Sequence, residues 1–164
     1  MVGDQVTFLL HSAVFLPGEA IPSRYTCEGE DISPPLAWMD PPPGTRSFTL
    51  LLDDPDAPDP AAPKRVWLHW LLYNIPAAAR ALAEGVHPRD LPEGTKQGLN
   101  DGNRTGYGGP CPPVGRHRYF FRLRALDIDL PDLGAASRAV LEQAARGHVL
   151  GEAVLMGTYR KRMR

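Results

Sequence analysis

Prolines and glycines cut this chain into pieces too short for a helical bundle. The 164 residues include 18 Pro and 16 Gly. Each proline fixes φ and removes a backbone donor. Pro-rich connections recur as SPPL (33–36), DPPPG (40–44) and DPDAPDPAAP (54–63). Between the breaks lie short runs rich in β-branched and aromatic residues, which predicts a mainly β fold. SFTLLLD (47–53) and VWLHWLLYNI (66–75) are continuous apolar runs, as in strands covered on both faces. RYFFRLRALD (118–127) alternates instead, with Arg118, Arg122 and Arg124 on one side and Tyr119, Phe121, Leu123 and Ala125 on the other. VTFLLH (6–11) and AVLMGTY (153–159) predict two more strands. One helix is predicted over 135–146, with Val140, Leu141, Ala144 and Ala145 on one face and Gly147 as its stop. HVLGEA (148–153) reads as a further helical turn.

No linker or internal repeat divides the chain, so 1–164 is expected to form a single domain. The net charge is −1 and contains no long same-sign run, which gives no footprint for nucleic acid. The first twenty residues lack the basic start and apolar core of a signal peptide, and no stretch reaches membrane-spanning length. A cytoplasmic location is therefore expected, with Cys27 and Cys111 as free thiols unless the fold brings them within bridging distance.

The candidate site comes from alternation. Residues two apart on a strand share a face. That pairs Trp67 with His69, His117 with Tyr119 and, if the chain stays extended past residue 53, Asp54 with Asp56. Each pair borders a Pro-rich loop, so three neighbouring strands would gather them at one pocket mouth. The irregular stretch 84–115, ending in GYGGPCPP, reads as an ordered binding loop beside them. Imidazoles and a phenol donate hydrogen bonds to an anion, a carboxylate orients an imidazole or accepts an ammonium, and an aromatic wall attracts a cation. The set suits an anion or a zwitterion such as phosphoethanolamine. His69, His117 and Asp54 also make a two-histidine, one-carboxylate set of metal-binding type, and a metal-dependent hydrolase stays open as an alternative. Asp53 and Asp59 are assigned no more than solvation. Neither a nucleophile elbow, a P-loop nor a dinucleotide fingerprint is present.

DDPDAP (53–58), WLHW (67–70), GYGGPCPP (106–113) and HRYFF (117–121) follow one another in an order that resembles the phosphatidylethanolamine-binding protein family, in its bacterial and archaeal Raf kinase inhibitor-like branch. YTCEGEDISPPLAW (25–38) and GHVLGEAVLMGTY (147–159) carry the likeness toward both ends. The resemblance implies antiparallel β-sheets in a Greek-key arrangement with a few peripheral helices, and a surface cavity for a phosphate or phospholipid head group. It implies ligand-binding roles for Asp54, His69, His117 and Tyr119, a loop wall from Gly109, Pro110, Cys111 and Pro112, and support from Asp56 and Trp67. It implies no cofactor and no catalysis, and it admits a kinase or protease as partner at the pocket rim and a homodimer. Before the glycine-rich loop this chain reads NDGNRTGYGG and lacks the family's phenylalanine.

Overall fold

The structure is a computed structural model, and residues 7–162 are described. Strands β1 (Leu9–His11), β2 (Leu36–Met39) and β5 (Ala81–Leu82) form a three-stranded antiparallel sheet in the order β1-β2-β5. Strands β3 (Ser47–Ala57), β4 (Arg65–Pro76), β6 (Lys96–Gln97), β7 (Arg116–Leu126) and β8 (Val149–Arg160) form a five-stranded antiparallel sheet in the order β6-β4-β3-β7-β8. Helix α1 spans Arg138–Ala145.

The two long apolar runs become the centre of the larger sheet because both of their faces are covered. Phe48, Leu50 and Leu52 of β3 join Trp70 and Leu72 of β4 and Phe121 and Leu123 of β7 in a core that reaches Leu10, Leu36, Trp38 and Leu82 of the smaller sheet. Leu51, Leu71 and Tyr73 face the other way, onto Leu130 and onto Leu141 and Ala145 of α1. The result is three layers, with the larger sheet in the middle. A buried leucine truncated to alanine in such a strand costs about 2–5 kcal/mol.

Helix α1 starts at Ser137, whose side chain accepts the Val140 N–H. It is shorter than the predicted span, and Val140 is 48% exposed while Leu141 and Ala145 are buried. Gly147 takes φ 82° and ends the helical path. HVLGEA is therefore not helical: Val149 already pairs with Leu126 as β8 begins. The strand predicted over 6–11 is present as Leu9–His11, and Val6 lies outside the described residues. Among the described residues no helix is long and apolar enough to cross a membrane.

Candidate functional site

Strands β3, β4 and β7 end together beside the loops 22–31 and 98–113, and a cavity of about 960 Å³ opens there. Alternation delivers four side chains into its wall. Trp67 and His69 come from β4, and His117 and Tyr119 from β7. Asp54 lies across from Trp67 in the β3–β4 register. The rings pack on one another: His69 meets Tyr119 edge-on at 5.4 Å, and His117 stacks on Tyr119 at 6.3 Å.

The hydrogen bonds of this cluster are unequal. His117 Nδ1 contacts Asp54 Oδ2 at 2.6 Å, and its Nε2 contacts the carbonyls of Val114 at 2.9 Å and Pro58 at 3.1 Å. All three partners are acceptors and they occupy both ring nitrogens, so neither is turned to the cavity for a ligand. His69 is different. Its Nδ1 meets the Gly108 carbonyl at 2.8 Å, and Gly108 N–H donates to the His69 carbonyl at 3.1 Å. This two-point clamp leaves Nε2 without a partner among the described residues. Burial holds the His69 pKa below its ordinary value, and the Gly108 contact and the Asp54, Asp101 and Asp31 charges offset it only in part. The Tyr119 hydroxyl is buried and makes no hydrogen bond of normal geometry, although the Asp54 carboxylate is its neighbour. Desolvation, then the Asp54 charge, push its pKa far up and keep it a donor.

Two loops build the far wall. Cys27 and Cys111 are joined by a disulfide, with Cα atoms 5.4 Å apart across 84 residues of sequence. Cys27 N–H donates to Pro110 O, and Gly109 N–H donates to Asp31 Oδ1 at 2.8 Å. A Cβ on Gly109 would sit 2.3 Å from that oxygen and 2.5 Å from the Tyr25 carbonyl, so only glycine passes there. The Tyr107 hydroxyl donates to the same Tyr25 carbonyl at 2.6 Å, and its ring packs edge-on against Trp70. The Tyr25 pKa is pushed up to about 12 by burial and by its bond to Glu84.

The rim is cationic. Lys64, Arg65 and Arg104 line the cavity and make no ion pair among the described residues. The Arg65 guanidinium lies 5.5 Å from the Trp67 ring centre. The lining carboxylates are already engaged, Asp54 by His117 and Asp31 by Gly109. Unspent positive charge therefore dominates the opening, with the buried Tyr119 hydroxyl as an unspent donor behind it.

The sequence profile described as phosphatidylethanolamine-binding protein matches residues 11–160. The chain belongs to that family. A UPF0098 protein of Methanothermobacter thermautotrophicus is 54% identical over 144 residues, which cover 86% of this chain and 91% of that one. The crystal structure of CT736, a phosphatidylethanolamine-binding protein homolog from Chlamydia trachomatis, aligns with a TM-score of 0.87 at 39% identity, covering 96% of this chain and 99% of that one. The crystal structure of E. coli YbcL, described as a member of the mammalian family, aligns with a TM-score of 0.84 at 31% identity, covering 94% and 99%. The predicted mainly β family fold is thus the one observed.

Within this family fold, Asp54, Trp67, His69, Gly109, Cys111, Pro112, His117 and Tyr119 line the cavity. Pro110 sits one residue behind the lining and holds Cys27 through its carbonyl. Asp56 departs from the shared direction expected for it. Asp54 Oδ1 accepts the Asp56 N–H at 2.7 Å, and the β3–β4 register shifts between Asp54 and Ala57. The turn sends the Asp56 carboxylate to Arg118, on the opposite side of β7 from His117, where two oxygens meet Nε at 3.0 Å and Nη2 at 2.9 Å. Arg118 holds the Asp56 carboxyl below the usual range.

Three further expectations change. Asp53 is not a solvated turn residue: it is 1% exposed and pairs with Arg122 and Arg138, each at 3.0 Å. The cysteines are not free thiols, because the fold sets the two loops within bridging distance. The metal-site alternative meets a chemical obstacle, since both His117 nitrogens face acceptors, and among the described residues no three His, Cys, Asp or Glu cluster as ligands. Sequence reasoning also missed rim residues. Arg65 was within reach of the alternation rule, two before Trp67 on β4, whereas Arg104, Asp31 and Tyr107 arrive through loop paths that no spacing encodes.

Proposed function

We propose that this chain binds a small phosphate-bearing anion or zwitterion of the phosphoethanolamine type in the cavity, without chemical turnover, and that 1–164 works as one domain. The observation that carries the reading is the imbalance at the site. The acids are engaged, while the Tyr119 hydroxyl and the Lys64, Arg65 and Arg104 charges are not. Tyr119 donates to a phosphate oxygen. The rim cations draw the anion in and neutralise it, most strongly at low ionic strength. His117, fixed by Asp54, acts as a positioning residue that stacks Tyr119 in place. His69 Nε2 meets the ligand's donor, Trp67 floors the entrance, and Gly109–Pro112 with the disulfide form a stiff wall. Asp56 steadies the turn that aims Asp54.

The family description names phosphatidylethanolamine, and a head group is one source of this chemistry. Isothermal titration with inorganic phosphate and with phosphoethanolamine tests the reading. Tyr119→Phe and Arg104→Ala are each expected to weaken binding about tenfold to a hundredfold, the range for losing one hydrogen bond to a charged group. No binding heat with either ligand, or unchanged affinity in both variants, contradicts it.

A further inference from the structure

The cavity wall contains four imidazole nitrogens, and three of them are spoken for. His117 uses both of its own on Asp54 and two carbonyls, and His69 uses Nδ1 on Gly108. Only His69 Nε2 is available to a ligand. Its character is set by the clamp at the other nitrogen. A carbonyl oxygen only accepts, so Nδ1 must carry the hydrogen, and the neutral ring then presents a lone pair at Nε2. A fully deprotonated oxyanion would place a second lone pair against it. A ligand oxygen that retains its hydrogen would instead donate.

Resting on the reading of the cavity as a phosphate site, we propose that it selects ligands that bring a hydrogen to His69 Nε2 over oxyanions that have none. Hydrogen phosphate donates its P–OH to His69 Nε2, and phosphoethanolamine, whose phosphate has lost both protons near neutral pH, donates from its ammonium, while sulfate, of the same shape as phosphate but without a hydrogen at neutral pH, is rejected. The other ligand oxygens go to the Tyr119 hydroxyl and the rim cations, which do not discriminate between the two anions. Selection therefore falls on one atom.

The surroundings of His69 agree with this polarity. Asp54 from β3, Asp31 from the loop before β2 and Asp101 from the loop after β6 act on the ring by charge, and the Tyr119 ring of β7 packs on it edge-on. His117 stands behind Tyr119, and Arg65 lies four residues back on β4, over the Trp67 ring. Burial outweighs the three carboxylates and keeps the second proton off the ring at neutral pH. Acidification below the ordinary histidine range adds that proton, turns Nε2 into a donor and removes the discrimination.

The test is isothermal titration of the folded wild-type chain with inorganic phosphate and with sulfate at pH 7.5, repeated on His69→Gln, whose amide both donates and accepts. The expected result is phosphate tighter than sulfate by about tenfold or more, the range for leaving one buried polar group unsatisfied, with a gap that narrows in His69→Gln. Nitrogen-15 spectra of wild type report a hydrogen on His69 Nδ1 and none on Nε2. Equal affinities for the two anions in wild type overturn the selection while leaving the phosphate site standing. Binding of neither anion overturns the site reading and this inference together. A bare Nδ1 in the spectra overturns the clamp on which the selection depends.

Discussion

Asp54 Oδ2 and His117 Nδ1 lie 2.6 Å apart at a place where His117 is fully buried and Asp54 is 3% exposed. Removing one partner of such a pair leaves the other buried and unsatisfied, at a cost of about 1–3 kcal/mol. Asp54→Ala is therefore expected to lower the unfolding free energy by that much, read as a lower denaturant midpoint with an unchanged slope. A loss under about 1 kcal/mol would mean that the pair contributes no more than an exposed surface contact does.

The Cys27–Cys111 link closes an 84-residue separation between two loops that both line the cavity. Cross-links of that kind stabilise by about 2–4 kcal/mol, mainly by restricting the unfolded chain. Thiol titration of the denatured protein should give no free cysteine before reduction and two after it. Reduction should also weaken phosphate binding, since the wall is no longer tied. Thiols that titrate without reductant contradict the bridge.

Neighbouring glycines in the loop should respond in opposite ways. Gly109→Ala drives a Cβ into Asp31 and the Tyr25 backbone at 2.3 and 2.5 Å. It should cost about 1–3 kcal/mol, as overpacking does, and loosen the wall. At Gly108 the nearest atom is the His69 carbonyl at 3.7 Å, an ordinary contact. Gly108→Ala should melt close to wild type, and thermal denaturation of the two variants side by side checks the contrast.

The His69 pKa is depressed below its ordinary value of 6.5. Above that pH the ring is neutral in both folded and unfolded chains, and it contributes no pH dependence. Below it the unfolded chain takes up a proton that the folded chain refuses. Stability therefore falls as the pH drops from 6.5 until the folded ring protonates. Denaturant midpoints at pH 7.5, 6.5 and 5.5 should show this fall in wild type and a shallower one in His69→Gln. Parallel slopes would remove His69 as the source.

Strands β3, β4 and β7 were readable because burial on two faces, or on one, leaves a pattern of period two or a solid apolar run. The same rule placed Trp67, His69, His117 and Tyr119 together. It failed at Asp56, where Pro55 and the Asp54 side chain bend the backbone and hand the carboxylate to Arg118. Strands β2, β5 and β6 carry four, two and two residues, too few to show a period. Val149 was read as helical because the run after Gly147 has no periodic signal of its own and takes its conformation from pairing with Leu126. Asp31 and Arg104 reach the cavity along loops, and the disulfide depends on the distance between two such loops. That distance follows from the packed whole.

A crystal structure determined with phosphate tests the central claim most directly. The account predicts one phosphate in the cavity, with an oxygen at hydrogen-bonding distance from the Tyr119 hydroxyl, a second within reach of His69 Nε2, and Arg65 or Arg104 closing from the rim. Phosphate bound elsewhere on the surface, with this cavity holding only solvent at saturating concentration, would contradict it.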